Sequence, residues 1–127
     1  MAVNRIRVSW PNGALTAVLR DTPTAQELLA ALPVESRANT WGEEVYFGVP
    51  VKVKLEADAR QVVEPGTVCF WVQGSSLALP YGPTPVSQGG ECRLVTEVNV
   101  LGTFQGDARE LKTVRDGDTV RVERETD

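Results

Sequence analysis

The run Asn39–Leu55, NTWGEEVYFGVPVKVKL, leaves few ways to fold. Val45, Tyr46 and Phe47 favour a pleated backbone, which predicts a strand over Glu43–Phe47 between Gly42 and Gly48. Pro50 cannot donate to a ladder, so it marks a strand start or an edge. Beyond it Val51, Val53 and Leu55 alternate with Lys52, Lys54 and Glu56, the period of two that predicts a half-buried strand. Neighbouring residues of a strand point to opposite faces. Glu43, Val45 and Phe47 therefore share one face, and Glu44 and Tyr46 the other. With Val45 and Phe47 turned to a core, Glu43 falls at its rim. Two readings of this region follow: a strand end carrying two solvated charges, or a carboxylate and a phenol beside the mouth of a pocket.

The same alternation recurs along the chain. Val3–Trp10 places Ile6, Val8 and Trp10 on one side; Pro11-Asn12-Gly13 is a turn signal, and Ala14–Arg20 returns as the second arm of a hairpin. One segment has helical spacing: Ala25, Leu28, Leu29 and Leu32 fall at i, i+3, i+4 and i+7. Its start is either Thr24 with Glu27 as a capping box or Thr22 with Pro23 in the first turn, and Pro33 ends it. Val34–Thr40 leads back into the sheet and Ala57–Arg60 is a turn. Thr67–Val72, entered through Glu64-Pro65-Gly66, is a central strand; Leu77–Tyr81 is a short one. Residues 82–90 make an irregular loop, Val95–Phe104 is a long strand, Asp107–Val114 a short helix and Thr119–Arg124 a closing strand before a frayed end at Glu125–Asp127. The expected fold is mainly β: a single domain, an eight-stranded antiparallel barrel, closed or nearly so, with one main helix (about 24–32) and one short helix (about 107–114).

Composition narrows the chemistry. The 127 residues carry a net charge of −4, with no basic stripe, which argues against nucleic acid and anionic membranes as partners. No apolar run is long enough to span a bilayer and the N-terminal residues lack a secretory core, so a cytoplasmic location is expected. Cys69 and Cys92 lack metal-type spacing; they read as buried thiols, or as a bridge if their strands pair. The chain contains no histidine. That removes Ser-His-Asp and Cys-His nucleophile systems, His-containing metal sites and the usual general base near neutral pH. No cofactor and no metal is expected.

NTWGEEVYF followed by Pro-Val, the turn EPGTV before an aromatic strand, the GPTP loop and EVNVLGTFQGDARELKTVRDGDTVRV together resemble the small cyclophilin-like family of bacterial and archaeal proteins. The resemblance covers nearly the whole chain. It implies an eight-stranded barrel of cyclophilin type capped by helices, and no established activity. Cyclophilins themselves are prolyl isomerases whose groove uses an arginine with Phe, Gln, Trp and His neighbours. Here the strand similar to the arginine-bearing one, Glu43–Gly48, has no Arg; Leu77–Tyr81 has no Gln; and His is lacking throughout. A shared fold does not carry the activity.

Three functions remain open. In the first, Trp41, Tyr46, Phe47, Trp71 and Tyr81 form an apolar cleft with Glu43, Glu44 or Arg37 as polar anchors, taking a proline-containing peptide or a small molecule. In the second, a divergent isomerase uses Arg37, the one guanidinium near that region. In the third, Trp10 and the proline loop 80–85 form a homodimer contact. For each aromatic taken singly, burial in the core is the competing reading.

Overall fold

The computed structural model describes residues 4–125. Among them are ten strands: β1 Arg5–Trp10, β2 Gly13–Leu19, β3 Val34–Arg37, β4 Asn39–Thr40, β5 Glu44–Gly48, β6 Arg60–Val63, β7 Thr67–Trp71, β8 Ser76–Pro80, β9 Cys92–Gln105 and β10 Thr119–Arg124. A helix, α1, spans Pro23–Ala31, and a 3₁₀ helix spans Ala108–Thr113. Val3, expected at the head of β1, and Thr126 and Asp127 of the terminal segment lie outside the described residues.

Every pairing is antiparallel, in the order β3-β10-β1-β2-β9-β7-β8-β5-β4, with β6 added to β9. The sheet is rolled but not closed, because no ladder among the described residues joins its two ends. Those ends, β3 and β4, are consecutive in the chain and separated only by Ala38. The backbone itself bridges the seam, with Ala38 N–H donating to the Asp118 carbonyl at 2.9 Å and Gly117 N–H to the Ala38 carbonyl at 2.8 Å. The count is ten strands, not eight: Val34–Thr40 forms two strands divided at Ala38, another forms at Arg60–Val63 between the two turns, and the one expected at Val51–Leu55 is lost.

The inside of the roll is one core. Ile6, Val8, Ala17, Val45, Phe47, Val68, Phe70, Leu77, Leu79, Leu101 and Val122 meet there from seven strands. Phe47 and Phe70 are fully enclosed, each worth about 1.5–3 kcal/mol over exposure. α1 plugs one end with Ala25, Leu28 and Leu29, as its spacing predicts. Its start is decided in favour of Thr22, whose side chain accepts from Ala25 N–H at 3.1 Å, with Pro23 in the first turn.

A second, smaller core lies on the outside of the roll. The first half of β9 leaves the main sheet and pairs with β6, folding as a flap over the outer faces of β7 and β8. Val63, Cys69, Ala78, Cys92, Leu94 and Val98 are buried beneath it.

The strand expected over Val51–Leu55 does not form. Val51 is buried, but Leu55 is 44% exposed, so the alternation is not used by a sheet face. Instead the segment runs beside α1, its backbone held by the side chain of Asn99: Nδ2 donates to the Lys54 carbonyl at 3.0 Å and Oδ1 accepts Glu56 N–H at 2.8 Å. The loop 82–91 is ordered through its own hydroxyls. Ser87 Oγ accepts from Thr84 N–H at 2.9 Å and from Arg93 N–H at 3.1 Å, and Thr84 Oγ1 donates to the Arg93 carbonyl.

Candidate functional site

The turn between β4 and β5 sets the site. Trp41 N–H bonds the Glu44 carbonyl at 2.9 Å, and Gly42 takes φ +58°, a left-handed conformation that glycine adopts without strain. The turn is clamped on the proline loop: Glu43 N–H donates to the Pro83 carbonyl at 2.9 Å, and Tyr81 N–H to the Glu43 carbonyl at 2.8 Å. A Cβ on Gly42 would lie 2.8 Å from Pro85 Cδ, so the two segments touch with no room between them. From this anchored start β5 alternates. Val45 and Phe47 enter the inner core, and Glu44 and Tyr46 fall on the outer face, under the flap.

Between that face and the flap is a hollow of about 220 Å³. Glu44 and Tyr46 of β5, Trp71 of β7 and Ala78 of β8 line one side, and Leu94, Val95 and Val98 of β9 the other, with Trp41 at the turn. Tyr46 and Trp71 meet edge to face, with ring centroids 6.3 Å apart at 87°. Two buried side-chain atoms of the lining residues, Glu44 Oε1 and Trp71 Nε1, have no hydrogen-bond partner among the described residues. Glu44 is only 5% exposed. Burial raises its pKa from 4.5 to about 7, because a carboxylate loses its hydration in an apolar surround.

The two thiols sit in the same outer cluster as free cysteines. Desolvation raises Cys69 far above its usual range and pushes Cys92 up to about 11, with the charge of Glu44 adding to both. Such thiols are poor nucleophiles at neutral pH. Among the described residues no group of three or more Cys, Asp or Glu side chains is arranged to hold a metal ion. No helix among them is long and apolar enough to cross a membrane.

Of the residues singled out from sequence, Trp41, Tyr46 and Trp71 come together in the hollow. Phe47 does not: it is wholly buried in the inner core, as the parity of β5 requires once Val45 faces inward. Glu43 is exposed and turned to the proline loop, where a Cβ on Gly82 would meet its Oε1 at 2.7 Å. Tyr81 lines a separate depression with Pro65, Phe104 and Arg109; burial and then the Glu43 charge raise its pKa. Arg37 is exposed on β3 and donates to the Gly117 carbonyl at 3.1 Å, away from the hollow. Trp10 is 6% exposed and its Nε1 donates to Thr113 Oγ1 at 2.8 Å, so its ring is used inside the fold.

The buried carboxylate is therefore Glu44 and not Glu43. The signal for it lies in the neighbouring strands. Val68-Cys69-Phe70-Trp71 and Leu77-Ala78-Leu79 are continuous apolar runs, which marks strands covered on both faces. A charged residue on the second face of an adjacent strand then goes under cover as well.

The sequence model of a family described as cyclophilin-like matches residues 4–123. Among solved structures, the solution structure of a hypothetical protein from Archaeoglobus fulgidus is similar at 36% identity and a TM-score of 0.84, covering 97% of this chain and 95% of that one. No curated protein matches the chain.

Proposed function

This chain belongs to the cyclophilin-like family, and we propose that within that fold it is a binding module whose hollow under the β9 flap takes a small, mainly apolar molecule or one side chain of a peptide. The observation that carries this reading is the hollow itself. Aromatic and aliphatic side chains line it together with Glu44, whose buried Oε1 has no hydrogen-bond partner among the described residues. Mostly apolar concavities with a few converging polar groups are the usual form of a ligand site. An apolar core with no ligand to serve gains nothing from leaving Glu44 Oε1 unpaired, since an unpartnered buried acceptor costs about 1–3 kcal/mol.

Prolyl isomerisation is disfavoured by the position of Arg37. That guanidinium is engaged at the β3 edge with the Gly117 carbonyl and lies outside the hollow, so it stabilises no charge developing on a bound X–Pro amide.

The test is amide and indole NMR of the ¹⁵N-labelled protein against a panel of small apolar fragments and a proline-containing peptide. Shifts clustering on Trp41, Tyr46, Trp71, Leu94 and Val98 are expected for at least some fragments. An unchanged spectrum at millimolar ligand across the panel would overturn the binding reading. In a protease-coupled assay the isomerisation rate is expected to stay at the uncatalysed level; acceleration would reinstate the isomerase.

A further inference from the structure

Glu44 and the rings around it point to a particular charge on the ligand. The carboxylate is 5% exposed and its Oε1 meets no donor, an arrangement that costs free energy unless a partner arrives. Trp41, Tyr46 and Trp71 approach the same space from three separate segments, with the last two at right angles to one another. The face of an aromatic ring is the negative part of its quadrupole and attracts cations, tryptophan most strongly. A buried carboxylate beside three such rings is complementary to an organic cation.

We propose that the ligand is a small organic ammonium ion, its charged head paired with Glu44 and enclosed by Trp41, Tyr46 and Trp71. This rests on the binding reading above and deepens it. The surroundings supply no competing cation. Burial alone raises Glu44, with no basic neighbour drawing it down. The titratable groups packed nearby are Tyr46 on its own strand, Cys69 on β7 and Cys92 on β9, and both thiols are held neutral. Glu43, next in the chain, is exposed. A hollow of about 220 Å³ falls below the roughly 300 Å³ at which pockets for drug-sized molecules begin, so it fits a short amine or the end of one side chain. Two sources present that chemistry: a free small amine and a lysine side chain of a peptide.

The experiment is titration of the ¹⁵N-labelled protein with n-butylammonium, with butyramide as its neutral counterpart and with Nα-acetyl-lysine amide. At about pH 8 butylammonium is expected to bind about tenfold more tightly than butyramide, shifting the indole resonances of Trp41 and Trp71. Below a pH of about 7 its affinity should fall by about tenfold per unit as Glu44 is protonated. Glu44→Gln should abolish the preference for the cation, bringing butylammonium and butyramide to within about twofold of each other. If that variant does not fold, Trp41→Leu at the partly exposed turn serves instead, with butylammonium weakened about fivefold more than butyramide. Acetyl-lysine amide binding at least as well as butylammonium assigns the site to a peptide side chain; weaker binding assigns it to a free amine. Butyramide matching butylammonium, or both probes weakened equally by Trp41→Leu, overturns the ammonium assignment while the binding reading stands. If neither probe nor any fragment of the panel moves the hollow's resonances, both readings fall.

Discussion

Asn99 and Glu56 hold each other across two segments: Asn99 Oδ1 accepts the Glu56 backbone N–H at 2.8 Å, while Asn99 Nδ2 donates to Thr24 Oγ1 at 2.9 Å. The Glu56 carboxylate in turn accepts from Thr24 N–H at 3.0 Å and from Thr24 Oγ1. Asn99 is fully buried in β9. One polar node therefore ties the sheet, the first turn of α1 and the irregular segment before β6. A buried amide is tolerated because its polar atoms are partnered.

Replacing Asn99 with leucine removes those partners and strands the Glu56 N–H and the Lys54 carbonyl. Asn99→Leu is expected to lower stability by about 2–4 kcal/mol. Urea unfolding followed by far-UV circular dichroism measures it; a loss below about 0.5 kcal/mol would show that the node is dispensable.

Gly102 and Gly48 make opposite predictions for the same substitution. A Cβ on Gly102 would lie 2.0 Å from the Val18 carbonyl oxygen and 2.8 Å from Leu19 Cα, backbone atoms that cannot step aside. Gly102→Ala should cost more than about 3 kcal/mol or prevent folding. Gly48 has nothing within 4 Å of that position, so Gly48→Ala should change stability by less than about 1 kcal/mol. Equal melting temperatures for the two variants would contradict the close β2–β9 approach.

Stability should fall as pH rises through the range where Glu44 ionises. Its folded pKa, about 7, lies above the value of 4.5 for an exposed glutamate. The folded state therefore holds a proton that the unfolded state has released. The benefit is complete below about 4.5 and is lost as pH climbs past 7, by at most about 3 kcal/mol. Glu44→Gln should flatten this part of the profile. Denaturant midpoints measured from about pH 5 to about pH 8 decide it; a wild-type profile rising over that window would sink the assignment.

Both thiols should be inert in the folded protein. Cys69 and Cys92 are 0% and 1% exposed and burial holds each in the neutral form. Iodoacetamide at about pH 8 is expected to leave both unmodified natively and to alkylate both in urea, with intact mass as the readout. Rapid native labelling of Cys92 would mean that the β6/β9 flap opens readily.

Much of this protein is legible in one dimension. The β1–β2 hairpin follows from the turn signal Pro11-Asn12-Gly13 between two alternating runs, although Pro11 and Asn12 form its tip, Gly13 already pairs with Trp10 and no positive φ is used; α1 follows from the spacing of Ala25, Leu28 and Leu29 under a Thr22-Pro23 start. The parity of β5 alone puts Phe47 and Glu44 on opposite faces. These are local rules, set by the backbone periods of two and 3.6. Other features depend on what packs against a segment. Val51–Leu55 alternates as a strand does, yet it pairs with no strand; Asn99, more than forty residues later, bonds its Lys54 carbonyl and the N–H of the following Glu56. Likewise, nothing local to Glu44 says that its face is covered. That is decided by β9, which is long enough to serve the inner sheet with one half and to bend over the outer face with the other. Periodicity specifies which side chains share a face; only the long-range pairing of strands decides which faces water can reach, and so which carboxylate is buried.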